Sequence, residues 1–293
     1  MGGEEVTRES YRRSVENPTV EQVRKFWENN PLWVGESQYK VGTPAFFEEH
    51  EQVYIQDCFA GKLDKRIFPD EVHRGNVLDL GCGPGFWTLQ MLRLGCAQVM
   101  AADLTGNAIQ LAEKRCKLHG YKNVKFSKQN AENMDFRDEE FDHVNCQGVI
   151  HHTPKTESCI AEIARVLKSE GTALISVYHR NCILRNWPKL SWLGRVMRRT
   201  GGGLKGRGRE DIMACKDTAE IVRLYDGEDN PLGKAYTTKE IRQMLKPHFH
   251  VGKYFYHFFP ARSLPLPIPG VLHRFLDRHV GFMVYLFLSK REI

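Results

Sequence analysis

Residues 77–85 read Val-Leu-Asp-Leu-Gly-Cys-Gly-Pro-Gly, a short apolar run that ends in a turn containing three glycines. The apolar run predicts a buried β-strand, and residues 86–94 continue at helical spacing. Glycines permit a tight strand-to-helix turn and let the backbone approach a ligand closely. The stretch therefore predicts the first β-α unit of an α/β domain, with a ligand site at the turn.

The same alternation of strand and helix continues on the carboxyl-terminal side. Strands are predicted at 98–102, 124–127, 141–146 and 173–178, and helices at 107–118 and 156–167. The aromatic-rich runs 249–259 and 281–288 supply the last two strands. Helices of this length between strands imply βαβ units and a parallel sheet. We predict a doubly wound, Rossmann-like α/β fold with a seven-stranded sheet.

The remaining segments predict two additions to this core. Residues 1–74 form a helical N-terminal cap, and residues 75–293 form the core with an insertion at 179–236. Between residues 182 and 209 the insertion carries eight Lys or Arg residues and no acid. Its apolar residues recur at helical spacing, which predicts a lid helix. The glycine-rich run 201–206 predicts that residues 199–209 are mobile without substrate.

The cysteine content and the absence of targeting signals indicate the cellular compartment of the protein and argue against a metal site. The chain has 293 residues, a formal charge of +6 and eight cysteines, and no two cysteines lie close enough for a C-x-x-C pair. A structural zinc site is therefore not expected, and we assign no metal site. Reduced cysteines and no apolar run of about 20 residues predict a cytoplasmic protein.

The glycine turn itself discriminates between ligands. Its spacing is G-x-G-x-G rather than the G-x-G-x-x-G of dinucleotide-binding folds. Asp79 lies two residues before the first glycine, and a carboxylate there suits a cation, such as the ammonium group of a methionine moiety, better than a pyrophosphate. Asp103 closes the second strand, where an acid can accept both ribose hydroxyls, although it could instead cap a helix. Asn130 follows the third strand, where a polar loop can meet an adenine amino group or simply face solvent.

These features together indicate S-adenosyl-L-methionine as the ligand. We assign to its site the residues of the turn, of the second strand end and of the loop after the third strand: Asp79, Gly81, Cys82, Gly83, Gly85, Asp103, Leu104, Asn130, Ala131 and Glu132.

The chain resembles the class I S-adenosylmethionine-dependent methyltransferases, specifically the type 11 small-molecule group. The resemblance is carried by 77–85, Asp103, 130–132, the run Gly-Val-Ile-His-His-Thr-Pro at 148–154, and Phe-Trp-Glu-Asn-Asn-Pro at 26–31. It implies methyl transfer to an O, N or C atom of a small-molecule acceptor. Asn130 departs from the group, in which Asp is more usual, but its carbonyl can still accept from the adenine amino group.

Histidines supply the candidate bases. His151 and His152 follow the fourth strand and His179 follows the fifth, so the topology predicts that all three meet at one rim of the sheet. If the acceptor is a hydroxyl or an ammonium, a base must remove its proton, and imidazole is suited to this near neutral pH. We predict His152 as the base, with His179 as the alternative. By resemblance, one of His151 and His152 is a neighbour of the cofactor and the other faces the acceptor.

Two further groups are assigned to the cofactor. Gln147 directly follows the fourth strand, and its backbone is expected along the methionine part. Trp27 and Tyr39, with Phe26 and Trp33, either cover the sulfonium by cation–π contact or pack the cap on the core.

Alternative functions follow from the basic insertion and from the fold. An RNA methyltransferase would use the basic charge, but we find no RNA-binding module and no N-P-P-Y motif after the fourth strand. A non-catalytic nucleotide-binding subunit is the second alternative, and the intact glycine turn, Asp103 and the histidine pair argue against it. The basic helix also suits an acidic or lipid-like acceptor, or a weak contact with a membrane surface.

Overall fold

A computed structural model of the chain describes residues 17–68, 75–204, 206–210 and 212–291. Parts of the predicted cap, residues 1–16 and 69–74, lie outside the described residues. The described residues form seven strands: β1 (Asn76–Leu80), β2 (Gln98–Asp103), β3 (Val124–Lys128), β4 (Phe141–Gln147), β5 (Leu167–Tyr178), β6 (Phe249–His257) and β7 (Met283–Lys290).

The strands form one sheet in the order β3-β2-β1-β4-β5-β7-β6. Strands β1 to β5 pair in parallel, and β7 runs antiparallel to both β5 and β6. The predicted doubly wound, seven-stranded sheet is thereby confirmed. The order of the strands reverses between β1 and β4, and ligands of open α/β sheets bind outside the carboxyl ends of the strands at such a reversal.

Helices cover both faces of the sheet. They are α1 (Val20–Asn29), α2 (Pro44–Phe59), α3 (Phe86–Arg93), α4 (Gly106–Leu118), α5 (Thr156–Val166), α6 (Cys182–Arg199), α7 (Thr218–Leu224), α8 (Thr238–Leu245) and α9 (Gly270–Val280). One core cluster joins α2, α3, α6 and α7 to the sheet through residues such as Phe59 and Trp87. A second joins α5 and α8 through residues such as Ile160 and Ile241. None of the helices in the described ranges combines the length and the apolar character that crossing a membrane requires.

The N-terminal helices are fixed to the core by a carboxylate at a helix N-terminus. Glu28 of α1 accepts hydrogen bonds from the backbone N–H groups of Gly106 (3.1 Å) and Asn107 (2.8 Å), the first residues of α4. These N–H groups have no partner within their own helix, and the helix dipole favours negative charge there. Helix α1 is therefore held above the end of β2, next to Asp103.

The insertion after β5 packs as two helices. Pro188 lies inside α6 and has no N–H to donate to Leu184 O, which instead accepts a hydrogen bond from the Thr218 hydroxyl of α7 (3.3 Å). Gly194 allows the segment at Met213 to approach, because a Cβ at Gly194 would lie 2.0 Å from Met213 O. Pro188 therefore leaves a carbonyl of α6 free to bind α7, and Gly194 lets α6 pack closely on the segment before α7.

Candidate active site

A cavity of about 250 Å³ lies at the carboxyl ends of β1, β2, β4 and β5 and is covered by α1, α2 and the insertion. The strands supply Gly81, Gly83, Asp103, Gln147 and Tyr178 to its wall. The cap supplies Trp27, Glu36 and His50, and the insertion supplies Arg207, Tyr225 and Asp226. The cavity therefore sits at the strand reversal, where the glycine turn of residues 81–85 predicts a ligand.

The three glycines of the turn have different roles. All three have positive φ, which L side chains rarely adopt. A Cβ at Gly81 would lie 2.2 Å from Val149 Cγ2, and one at Gly85 would lie 2.9 Å from Ala112 Cα of α4. A Cβ at Gly83 would meet nothing within 4 Å. Gly81 and Gly83 line the cavity, whereas Gly85 allows close packing of α4 and does not line it.

The carboxylate of Asp103 organises the turn. Its Oδ2 accepts from Gly83 N (3.0 Å), and its Oδ1 accepts from Thr105 N (2.9 Å) and Thr105 Oγ1 (2.8 Å). Burial raises the pKa of Asp103 despite these hydrogen bonds. Because a carboxylate oxygen offers two lone-pair sites, Oδ2 keeps one for a ligand hydroxyl. The contact with both ribose hydroxyls stays a prediction, since these hydrogen bonds leave one acceptor site on the carboxylate.

The loop after β3 is only partly in the cavity wall. Leu104, Asn130 and Ala131 line the cavity. Asn130 Oδ1 accepts from Glu132 N (3.1 Å) and keeps a second lone pair. Glu132 does not line the cavity, because its carboxylate caps the start of α5 by accepting from Lys155 N (2.7 Å). Cys82 also lies outside the wall, with its thiol buried beside the Gly83 carbonyl.

Asp79 lies beneath the cavity and does not line it, contrary to the expectation of a direct contact with a bound cation. The side chain is 1% exposed, because Thr88 of α3 covers it. Its carboxylate accepts from Thr88 Oγ1 (2.5 Å) and from Asn145 Nδ2 (2.7 Å). Burial raises the pKa of Asp79 to about 6, although both hydrogen bonds lower it. Its charge therefore acts on the cavity without direct contact, from behind the residues above it.

One of those residues is Gln147, at the end of β4. Its Nε2 donates to Asn145 Oδ1 (2.6 Å), and its Oε1 is buried without a hydrogen-bond partner among the described residues. The sequence predicts a backbone contact at this position, but the side chain is also a candidate contact because Gln147 lines the cavity.

His152 is the histidine of the predicted rim that lines the cavity. Its Nδ1 lies 2.8 Å from Leu232 O, and its Nε2 lies 3.5 Å from Asp226 Oδ2. The Tyr178 hydroxyl donates to Asp226 at 2.9 Å from Oδ1 and 3.0 Å from Oδ2. Trp27 packs edge-on against the His152 ring with 5.1 Å between centroids.

The other two histidines lie outside the cavity wall. His151 is fully buried between the rings of His152 and Tyr178, and burial holds its pKa well below the usual value. His179 corrects the prediction of three histidines on one rim. It follows β5 where the chain turns towards α8 and β6, so its ring stacks on Tyr256 with centroids 4.6 Å apart.

Of the four aromatic residues that were candidates to cover the cofactor, two line the cavity and two do not. Trp27 and Trp33 line the cavity, which agrees with a covering role. Tyr39 is 44% exposed and lies outside the wall, and Phe26 is buried against Trp27, which is the packing alternative to the covering role.

An ion-pair cluster that no local motif indicates holds the insertion on the cap. We call it the Glu36 cluster: the Glu36 carboxylate lies 2.9 Å from Arg209, 3.2 Å from Arg262 and 3.8 Å from Arg207. These arginines lower the pKa of Glu36, although burial acts to raise it. Arg207 also donates to the carbonyl oxygens of Asn30, Pro31 and Val34. The segment predicted to be mobile is thus tied to the cap in this structure.

A comparison with protein families matches the part of the chain that holds β1 to β5. Residues 72–198 match a family described as a methyltransferase domain. This part of the chain, less than half of it, is similar to a methyltransferase domain. The family match and the fold together imply S-adenosylmethionine as the cofactor. Solved structures with the methyltransferase fold include an S-adenosylmethionine-dependent methyltransferase from Methanosarcina mazei, with a TM-score of 0.53 and 20% identity over 79% of this chain and 99% of that one.

The relatives of this chain match its core rather than its whole length. An uncharacterized methyltransferase of Bacillus subtilis, YcgJ, is 31% identical over 43% of this chain and 48% of its own. A ubiquinone biosynthesis O-methyltransferase of Ruegeria is 31% identical over 44% of this chain and 51% of its own. A demethylmenaquinone methyltransferase of Lactococcus lactis is 26% identical over 55% of this chain and 60% of its own. The chain thus spans about half the length of the first two relatives.

The residues of the cavity fit S-adenosylmethionine. The open space at Gly83 admits a ligand against the backbone, and the Asp103 carboxylate beside it keeps an acceptor site for a ribose hydroxyl. Asn130 and Ala131 line the same cavity after the end of β3, and Asn130 keeps an acceptor lone pair for an adenine amino group. Among the described residues no group of His, Cys, Asp and Glu is arranged to hold a metal ion.

Proposed function

We propose that this methyltransferase transfers a methyl group to a hydroxyl oxygen of a small aromatic molecule, with His152 as the general base. When bound, S-adenosylmethionine supplies an electrophilic methyl group on a sulfonium sulfur. The chain's own residues have to position the acceptor, exclude water and take its proton. The observation that carries the proposal is the hydrogen bonding of the His152 ring.

Leu232 fixes which nitrogen of His152 carries the hydrogen. A carbonyl oxygen can only accept, so the contact of 2.8 Å requires a hydrogen on Nδ1. In the neutral imidazole, Nε2 then has a free lone pair. Because His152 lines the cavity, this nitrogen is available to an acceptor hydroxyl.

Asp226 is placed to stabilise the imidazolium that forms when Nε2 takes the proton. Its Oδ2 lies 3.5 Å from Nε2, so the new positive charge meets a carboxylate at once. The Tyr178 hydroxyl donates to both oxygens of Asp226 and holds the carboxylate in place. A positioned general base of this kind contributes about 10²–10⁴-fold to a rate.

The class of acceptor is inferred from the walls of the cavity and from the relatives. Tyr178, Tyr225 and Phe258 line the part of the cavity around His152 and Asp226, and aromatic walls suit a planar ring. The cap and the insertion cover the cavity, which suits a small molecule. The relatives named for ubiquinone biosynthesis and for demethylmenaquinone support an aromatic acceptor, and the former supports oxygen as the methylated atom.

The test compares two histidines that the sequence places on the same rim. We expect His152→Gln to lower the single-turnover rate of methyl transfer to a panel of phenols and catechols by about 10²–10⁴-fold. Its affinity for S-adenosylhomocysteine, measured by calorimetry, should stay within about twofold of the wild-type value, because the base acts on the acceptor. His179→Ala is the matched control and should keep the wild-type rate.

Two results would contradict the proposal. A His152→Gln rate within about threefold of wild type would exclude a base at this position. Transfer by the wild-type enzyme to amines or carbon nucleophiles but to no hydroxyl in the panel would overturn the oxygen acceptor.

A further inference from the structure

His50 of α2 is a buried titratable group that lines the cavity and has no role in the proton transfer described above. It is 1% exposed and packs against the rings of Tyr54 and Phe86. Burial and the neighbouring Arg115 guanidinium hold the pKa of His50 well below its usual value. The imidazole is therefore neutral, with one nitrogen as donor and the other as acceptor.

Arg115 determines which nitrogen is the donor. Its Nη1 lies 3.0 Å from His50 Nδ1, and a guanidinium only donates. His50 Nδ1 must therefore accept, which places the hydrogen on Nε2. This Nε2–H is buried and has no hydrogen-bond partner within the described part of the chain. A buried donor in a cavity wall that lacks a protein partner is suited to an acceptor atom of a ligand.

Gln147 has a buried acceptor without a partner, whereas His50 has a buried donor without one. The Asp79 carboxylate can only accept, so Asn145 must donate its Nδ2 to it and turn its Oδ1 towards Gln147. Gln147 Nε2 then donates to that oxygen, and Gln147 Oε1 is left as an acceptor. Gln147 is 8% exposed, and its Oε1, like His50 Nε2, has no hydrogen-bond partner among the residues that the structure describes.

Both atoms are connected to the glycine turn. Arg115 donates to Pro84 O (3.4 Å), which joins His50 to the turn, and Asp79 in β1 joins Gln147 to the strand that leads into it. The charges behind the two atoms differ in sign, since a guanidinium stands behind the donor and a carboxylate behind the acceptor. A ligand with an anionic acceptor for the first atom and a cationic donor for the second suits this pair, and the amino-acid end of S-adenosylmethionine carries both groups.

We propose that His50 Nε2–H binds the carboxylate of the cofactor's amino-acid end, while Gln147 Oε1 binds its ammonium group. This assignment rests on the cofactor site of the proposed function. It gives the N-terminal cap a binding role and explains why a neutral histidine and a buried arginine stand together beside the turn.

The test uses three ligands that differ only at the amino-acid end. S-Adenosylhomocysteine has both charged groups, its decarboxylated analogue keeps the ammonium group, and 5′-methylthioadenosine has neither. By calorimetry, we expect His50→Phe to weaken S-adenosylhomocysteine binding by about tenfold or more and to leave the other two affinities within about twofold. Gln147→Met should weaken binding of S-adenosylhomocysteine and of the decarboxylated analogue but not of methylthioadenosine.

Two controls separate binding from folding. His50→Gln keeps a donor near the Nε2 position and should recover part of the lost affinity. His143→Phe changes a histidine on β4 that is equally buried and lies outside the cavity, and all three affinities should stay at wild-type values. A wild-type affinity for methylthioadenosine shows that the nucleoside part of the site is intact in each variant.

A measurement on the wild-type protein avoids the variants altogether. In ¹⁵N–¹H spectra of the histidine rings, His50 should be protonated at Nε2, and this proton should shift on addition of S-adenosylhomocysteine but not of methylthioadenosine. Equal weakening of all three ligands by His50→Phe, or no weakening, would overturn the inference and leave the proposed function standing. If the wild-type protein binds none of the three, the cofactor site itself fails.

Discussion

Replacing Asp79 by asparagine should make the ligand-free methyltransferase more stable and its cofactor binding weaker. Burial raises the pKa of Asp79 from its ordinary value of 3.8 to about 6. At 1.36 kcal/mol per pKa unit, the ionised carboxylate destabilises the folded state by about 3 kcal/mol at pH 8. The amide that replaces the carboxylate has no such cost, and it can still accept from Asn145 and donate to Thr88.

The size of this gain in stability depends on pH. A carboxyl group whose pKa is higher in the folded protein favours folding below its unfolded pKa, and this advantage is lost as the pH rises through about 6. We therefore expect Asp79→Asn to raise the free energy of unfolding by about 1–3 kcal/mol at pH 8 and by much less at pH 4. Urea denaturation of the ligand-free protein at the two pH values measures this difference.

Binding should change in the opposite direction. The Asp79 carboxylate lies behind Asn145 and Gln147 and attracts a cationic group of the ligand from there, so the loss of its charge should weaken S-adenosylhomocysteine binding by about tenfold at pH 8, or about 1.4 kcal/mol. Asp138→Asn is the control, since Asp138 is 76% exposed and remote from the cavity. A variant that is less stable than wild type at pH 8, or one that binds the ligand as tightly, would refute the reasoning.

Three further predictions concern stability, the insertion and the surface. His257→Gln should lower the free energy of unfolding at pH 6 by about 3–5 kcal/mol in urea denaturation, because Asp277 loses a buried charged partner. Burial lowers the pKa of His257, but the carboxylates of Asp277 and Asp64 outweigh burial, so the pKa is raised overall. The loss of stability in His257→Gln should therefore shrink as the pH rises above that pKa. A loss of stability at pH 9 as large as at pH 6 would contradict this prediction. Glu36→Gln should accelerate amide hydrogen exchange in residues 206–210, which the Glu36 cluster holds, and rapid exchange in the wild-type protein would contradict that role. Trp192 is 53% exposed on the basic helix α6, so we expect weak sedimentation with anionic vesicles that Trp192→Ser reduces, and equal sedimentation with neutral vesicles would exclude an electrostatic contact.

The fold was predictable because its signals are local. The glycine turn, the apolar runs and the helical spacing each lie within a few residues of one another, and the order of strands follows from short right-handed connections. The same holds for Gly83 and Asp103, which local motifs place in the cavity wall.

The missed residues depend on contacts between distant parts of the chain. Asp226 meets His152 only because the insertion folds back over β4, and His50 meets Arg115 only where α2 packs on α4. His179 was wrongly placed on the rim for the same reason. Its position after β5 predicts the rim, but its ring packs against Tyr256 of β6 and Thr238 of α8 instead. Asp79 was recognised from its spacing, but its burial under Thr88 depends on how α3 packs.

Calorimetry with S-adenosylhomocysteine and NAD, on the wild-type protein and on Asp103→Ala, tests the cofactor assignment most directly. We predict saturable binding of one S-adenosylhomocysteine per chain and no binding of NAD. Asp103→Ala removes the acceptor for the ribose and for Gly83 N, so binding should weaken by about 1–3 kcal/mol. Tight binding of NAD without a response to S-adenosylhomocysteine, or an Asp103→Ala variant that binds S-adenosylhomocysteine as tightly as wild type, would contradict a cofactor site at the glycine turn.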